Sequence, residues 1–252
     1  MSAAEVDFAT VTARYDEIAE QYDSIYLEEH FLREEEIVAD VLARVARPRD
    51  RVLDLGCGTG KALELLPEHR SYAGIDVSRA MLAEAHRKFP GTDFFVAGAE
   101  DLPFADDSFD LVVSTFGSLS HVHDIPQAVD EMARVLTPAG RFCVMLYGLN
   151  STESRGRSST EIVEYIPRAL AAPAGYSIPA WLYSRNDAAQ IFRRRFSSVR
   201  VRSLSSLSNE SQNDRGGRVE SAARRLASLA FPNRAHSIIV TGRVARPRRM
   251  PY

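Results

Sequence analysis

Arg51-Val52-Leu53-Asp54-Leu55-Gly56-Cys57-Gly58-Thr59-Gly60 decides the fold class. The first five residues form a short, nearly continuous apolar run, the pattern of a strand covered on both faces of a sheet. Three glycines at G-x-G-x-G spacing then allow a sharp turn and let a ligand lie directly against the backbone. A helical stretch over about 60–66 follows and ends near Pro67. Such a turn is also compatible with a plain strand-to-helix connection, so its weight depends on its surroundings. Asp76 ends a second strand, 71–76, sixteen positions after Gly60. An acid there lies across the ligand crevice from the glycine turn and can accept both hydroxyls of a ribose. The plainer reading is an acid that caps the helix beginning at Ser78.

Outward from this unit, the chain alternates short apolar runs with helical patterns. Ser78 is a good N-cap for a helix through Lys88, and Pro90-Gly91 breaks it. Strands follow at 93–97, 109–114 and 140–147, with a helix over 126–136 before the last. Strands separated by helices imply right-handed crossovers and a mostly parallel sheet. After residue 147 the rhythm breaks. A helix is predicted over 160–171, among Pro/Gly-rich joints, then a helix at 185–195, a strand at 198–202, a helix at 219–230 and a strand at 237–241. Residues 5–46 read as helical, with Ile37, Val38, Val41, Leu42 and Val45 at helical spacing. The predicted organisation is a helical segment (1–46), the glycine-turn half of an α/β core (47–147), an insertion (148–183) and the rest of the core (184–252).

Composition bounds the partners. The 252 residues are 45% hydrophobic and 26% charged, with a net charge of −3. That near-neutral total hides a split, because residues 1–140 hold 27 acids and 12 bases, and residues 141–252 hold 7 acids and 19 bases. Lys61 and Lys88 are the only lysines. A basic half suggests nucleic acid or another acidic partner, but two halves of one domain, or of a homodimer, can also neutralise each other. No apolar stretch approaches the roughly 18 residues of a membrane span, and the start shows no apolar signal-peptide core. Cys57 and Cys143 are too few for a disulfide framework or a structural zinc site, so a cytoplasmic setting is expected.

The stretch from Val52 to Val144 resembles the core of the class I S-adenosylmethionine (SAM) dependent methyltransferases, in their small-molecule, type 11-like branch. The resemblance rests on 52–60, on Gly74-Ile75-Asp76-Val77-Ser78, on Ala99-Glu100-Asp101-Leu102-Pro103-Phe104 with Ser108-Phe109-Asp110-Leu111-Val112, and on Arg134-Val135-Leu136-Thr137-Pro138-Ala139-Gly140. In the last segment Ala139 replaces the family's glycine. The fold implied is Rossmann-like α/β, with a seven-stranded mostly parallel sheet, helices on both faces, an N-terminal helical lid and an insertion after the fifth strand. SAM is the implied cofactor and S-adenosylhomocysteine the product. By the resemblance, Gly56, Cys57, Gly58, Thr59 and Gly60 line the adenosyl and methionine moieties, with Asp54 near the methionine amino group. Asp76 binds the ribose, Val77 and Met81 pack on adenine, and Ala99, Glu100 and Asp101 lie at its edge. Many relatives place an Asp where this chain has Gly98, so reading of the adenine amino group passes to Glu100, Asp101, the backbone or water.

Ser114-Thr115-Phe116-Gly117-Ser118-Leu119-Ser120-His121 leaves the fourth strand at its carboxyl end, where open α/β sheets place reacting groups. Ser114 and Phe116 are assigned to the cofactor side. His121 occupies the place where similar methyltransferases carry a histidine facing the transfer site, and its chemistry suits accepting a proton from an amine or hydroxyl. It is equally readable as a residue that only lines the cavity. Tyr15-Asp16-Glu17-Ile18-Ala19-Glu20-Gln21-Tyr22-Asp23 resembles the lid of this group. Tyr15 and Tyr22, seven apart, share a helix face that would close over the methionine end, where Arg33 would pair with the carboxylate; the same tyrosines at that spacing also suit a core. Tyr165, Tyr176 and Trp181 are placed in an acceptor cap.

The expected reaction is in-line transfer to a nitrogen or oxygen of a small molecule, a natural product or sugar of secondary metabolism, without a metal. RNA methylation is the alternative that the arginine-rich tail suggests. Against it, no "[DN]-P-P-[YF]" signature follows strand four, and no basic strand rich in aromatics offers a stacking platform. A SAM-binding protein without catalysis is the third reading.

Overall fold

A computed structural model describes residues 8–27, 29–148, 162–165, 178–204 and 236–245, with the backbone alone for 8–9, 25–27, 29–31, 162–165, 179 and 236. The chain opens with α1 (Phe8–Ile18), a 3-10 helix (Ala19–Leu27) and α2 (Glu29–Val45). The core then runs β1 (Arg51–Leu55), α3 (Lys61–Leu65), β2 (Ser71–Asp76), α4 (Arg79–Lys88), β3 (Asp93–Val96) and β4 (Phe109–Ser114). A 3-10 turn (Ser118–His121), α5 (Ile125–Val135) and β5 (Leu136–Gly148) follow. Beyond come β6 (Ile162–Tyr165), β7 (Ile178–Trp181), α6 (Arg185–Arg193), β8 (Phe196–Ser203) and β9 (His236–Val244).

Seven strands form one sheet in the order β3-β2-β1-β4-β5-β9-β8. The β1–β5 pairings are parallel, whereas β9 runs antiparallel to both β5 and β8. The expected seven-stranded α/β sheet is therefore present. The strand order reverses at β1/β4, the crevice where such sheets bind ligands.

The apolar runs are continuous because both faces are covered. Leu53, Leu55, Val112, Val144 and Leu146 point to one core with α5 and α6. Val52, Leu111, Val113, Cys143 and Met145 alternate with them onto the opposite face, under α2 and α4. A smaller cluster, Val11, Ile18, Ala19, Met81 and Ile178, joins the N-terminal segment to α4 and β7. Ser78 caps α4 as predicted, its Oγ accepting from the Met81 N–H at 3.1 Å.

One predicted element is corrected. In place of a helix over 160–171, residues 162–165 form a strand paired antiparallel with β7, Ile162 facing Trp181 and Tyr165 facing Ile178. Ile-Val-Glu-Tyr is a β-branched and aromatic run, and its partner lies too far along the chain for a periodicity argument to find. The helix predicted at 219–230 and Tyr176 lie outside the described residues. Among the described residues, no helix is long and apolar enough to cross a membrane.

Candidate functional site

The glycine turn leaves β1 with Gly56 at φ 68° and Gly58 at φ 52°, both left-handed. A Cβ at position 56 would collide with the Ser118 side chain, whose hydroxyl donates to the Gly56 carbonyl at 2.9 Å. At Gly58 the nearest atom to such a Cβ is Tyr22 Cε1 at 4.0 Å, so this backbone faces open space. That space is a cavity at the carboxyl ends of β1, β2 and β4.

Asp76 forms one wall of the cavity. Its Oδ2 accepts from the Gly58 N–H at 2.9 Å and its Oδ1 from the Ser78 N–H at 2.9 Å. Burial raises the Asp76 pKa, while the backbone N–H groups of Ser78, Gly58 and Val77 pull it back. Each carboxylate oxygen retains a second lone pair beyond its backbone bond, so the group can still accept from a ligand hydroxyl.

The segment after β4 supplies the opposite wall. Phe116, at φ 54°, sits in a conformation that costs a bulky L-residue of order 1–3 kcal/mol. Tyr147 holds it there, its hydroxyl donating to the Phe116 carbonyl at 3.3 Å. His121 is buried, with its ring edge-on to Tyr147 and to Tyr15, both at 5.6 Å between centroids. The Tyr15 hydroxyl lies 3.0 Å from His121 Nε2. Although the helix changes type between them, Tyr15 and Tyr22 remain in contact, at 6.1 Å in an edge geometry.

Of the expected residues, Tyr15, Tyr22, Gly56, Gly58, Asp76, Val77, Met81, Ala99, Glu100, Phe116 and His121 line this one cavity. The other described side chains do not line it, and that of Tyr165 lies outside them. Cys57 is buried against the Gly74 backbone, Thr59 donates to Asp23 at 2.6 Å, and Gly60 caps α3 at φ 87°. Asp54 is fully buried; its Oδ2 accepts from the Tyr72 hydroxyl at 2.7 Å, while its Oδ1 has no hydrogen-bond partner. Burial pushes its pKa up to about 7, the Tyr72 hydrogen bond opposes this, and Asp76 adds to it. Arg33 and Asp101 are exposed, and Ser114 is buried in β4. Trp181 stands beside the site, its Nε1 donating to the Val122 carbonyl at 3.0 Å.

The cavity also includes residues that the sequence reading did not select: Val11, Ile75, Ala97, Gly98, Ser118, Leu119 and Val122. Val11 had a signal, since it precedes Tyr15 by one helical turn and must share its face. Among the described residues, no group of three or more His, Cys, Asp or Glu side chains is placed to hold a metal ion.

Residues 53–144 match the family model described as "Methyltransferase domain". The demethylmenaquinone methyltransferase of Renibacterium salmoninarum is 34% identical over 215 residues, which span 77% of this chain and 86% of that one. A ubiquinone/menaquinone biosynthesis C-methyltransferase (UbiE) of Geotalea daltonii is 40% identical over 108 residues, 39% of this chain and 46% of that protein. In fold, the chain is similar to a Thermotoga maritima protein described as a SAM-dependent methyltransferase and "possible histamine N-methyltransferase". The TM-score is 0.60 at 17% identity, covering 92% of this chain and 99% of the other. The glycine turn, the strand order and a relative aligned over most of its own length agree: this chain belongs to the class I SAM-dependent methyltransferases.

Proposed function

We propose that the chain transfers the methyl group of SAM to a ring carbon of an apolar aromatic acceptor of the quinol type. The observation that carries this reading is the part-buried Tyr15–His121 pair, 3.0 Å apart, in a wall that also includes Val11, Phe116, Leu119 and Val122. An apolar wall with one proton-accepting pair suits a flat phenolic ring better than a charged amine. The sequence alone points to a nitrogen or oxygen acceptor; relatives named for demethylmenaquinone methylation and for C-methylation favour carbon.

The cavity fits the cofactor. Open backbone at Gly58 offers a bed for the methionine and sugar moieties, Asp76 has acceptor capacity for ribose hydroxyls, and Val77 and Met81 present an apolar surface for the base. SAM supplies a sulfonium leaving group, so the protein's main work is alignment and exclusion of water. The acceptor's hydroxyl proton passes to His121 Nε2, directly or through the Tyr15 hydroxyl. The deprotonated ring gains electron density at the carbon beside that oxygen, which attacks the methyl carbon as the S–C bond breaks. S-adenosylhomocysteine leaves, the ring carbon gives up its hydrogen as a proton, and His121 returns a proton to the oxygen.

The test is a labelled-methyl assay with a reduced prenylated naphthoquinol, a catechol and an amine in parallel. Carbon-bound label on the quinol is expected. Label on nitrogen or oxygen alone would sink the acceptor assignment. Failure of the protein to bind either SAM or S-adenosylhomocysteine in calorimetry would sink the whole reading.

A further inference from the structure

Tyr147, next to last in β5, is buried and does not line the cavity. Its backbone pairs with Ser237 of β9, its carbonyl accepts from the Tyr183 N–H at 2.9 Å, and its N–H donates to Ser120 Oγ at 2.9 Å. Its side chain meets the segment that leaves β4. Two consecutive left-handed residues, Phe116 at φ 54° and Gly117 at φ 82°, bring the chain against its ring. A Cβ at 117 would collide with that ring, and the hydroxyl donates to the Phe116 carbonyl at 3.3 Å. The same ring stands edge-on to His121, with 5.6 Å between centroids and 86° between planes. One side chain from a sheet strand therefore touches Phe116, Gly117 and His121, and the first and last of these line the cavity. Tyr15, the other ring against His121, belongs instead to α1 of the N-terminal segment.

We propose that Tyr147 is a positioning residue for methyl transfer, holding the His121 ring and the Phe116 wall in register from outside the cavity. The proposal rests on the reading of His121 as the proton acceptor. A proton acceptor works only within hydrogen-bond reach of the group it serves, so a small tilt of the imidazole costs rate. The Tyr147 ring opposes that tilt, and its own orientation is set by the close fit to Gly117. Its hydroxyl acts on a different group. Without that donor the Phe116 carbonyl loses a partner in a backbone conformation that persists only when its surroundings impose it. Ring and hydroxyl thus have separable effects, the ring on proton transfer and the hydroxyl on the apolar wall that receives the acceptor.

The experiment measures kcat and acceptor KM with a reduced prenylated naphthoquinol, and the calorimetric Kd for S-adenosylhomocysteine. Tyr147→Phe, which removes the hydroxyl alone, is expected to raise KM at least about threefold and leave kcat within about twofold. Tyr147→Leu, which also removes the ring, is expected to lower kcat at least about fivefold. In a His121→Ala background the same change is expected to lower kcat by less than about twofold, because the group it positions is gone. The Kd is expected to stay within about threefold throughout. An unchanged KM in Tyr147→Phe overturns the proposal, as do equal kcat losses in the two backgrounds, the mark of a merely structural defect. If Tyr147→Leu no longer binds S-adenosylhomocysteine, the KM of Tyr147→Phe decides alone. No turnover of the naphthoquinol by the unmodified protein, or an unaltered kcat in His121→Ala, overturns the acceptor reading and this proposal together.

Discussion

At Tyr15 and His121 a hydroxyl and an imidazole meet across 106 positions of sequence. Removal of the ring in His121→Ala is expected to lower kcat by at least about tenfold while leaving the calorimetric SAM affinity within about twofold. An unchanged kcat retires the proton-acceptor role. Asp54 gives a second expectation, on stability. Its folded pKa of about 7 lies above the ordinary carboxyl value, chiefly because of burial. The folded state therefore holds a proton that the unfolded state has lost, and this favours folding below about pH 4 relative to pH 7. As pH rises through that window, the Asp54 contribution to stability falls. Asp54→Asn mimics the protonated side chain, so denaturant unfolding should show a flatter loss of stability between pH 4 and 7. An unaltered slope would mean that Asp54 is charged in the folded protein throughout.

Among elements, the N-terminal segment bears most directly on ligand access. Asp16 of α1 accepts from the Ser78 hydroxyl and, at 3.2 Å, from the Ala80 N–H, at the N-terminal end of α4. An anion is favoured there by the helix dipole. At the other end, Asp23 accepts from Thr59 at 2.6 Å and from Lys88 at 2.9 Å. Lys88 also meets Glu64 at 3.0 Å, which shares Lys61 with Glu35 of α2. Both lysines of the chain thus join the segment and α2 to the helices flanking the glycine turn. If these bonds hold the segment over the cavity, Asp16→Asn and Asp23→Asn should each speed S-adenosylhomocysteine release several-fold in stopped-flow, more so in combination. An unchanged off-rate would show that release does not require this segment to lift. Elements built on local pattern were legible in advance: the glycine turn, the Ser78 cap and the alternating core strands. The β6–β7 pair was not, because a four-residue strand owes its existence to a partner elsewhere. Nor were Thr59 and Cys57 distinguishable from Gly58 as cavity residues, since alternate positions of one tight turn face opposite ways.

For the whole molecule, the split between an acidic first part and a basic second part is bridged by ion pairs within the fold. Arg141, at the basic side of the split, pairs with Asp50 just before β1, and both side chains are largely buried. Its Nε also donates to the Val45 carbonyl at the end of α2, at 3.0 Å. Arg195 reaches from beyond α6 to Asp130 of α5, at 2.7 Å. These two pairs differ in setting. The Arg195 side chain is 52% exposed, so solvent and salt screen its contribution to stability. Arg141 and Asp50 are only 14% and 5% exposed, and loss of one partner leaves the other charge buried without compensation. That costs about 3–5 kcal/mol, whereas replacement of both by apolar groups is often nearly neutral. Chemical denaturation should therefore find Arg141→Met and Asp50→Leu each strongly destabilising, and the double variant much less so than their sum. Arg195→Ala should shift stability far less than either of these, and lose even that shift at high salt. Additive losses at Arg141 and Asp50 would mean that the pair is no unit, and that the charge imbalance of the two parts is met by diffuse surface attraction instead.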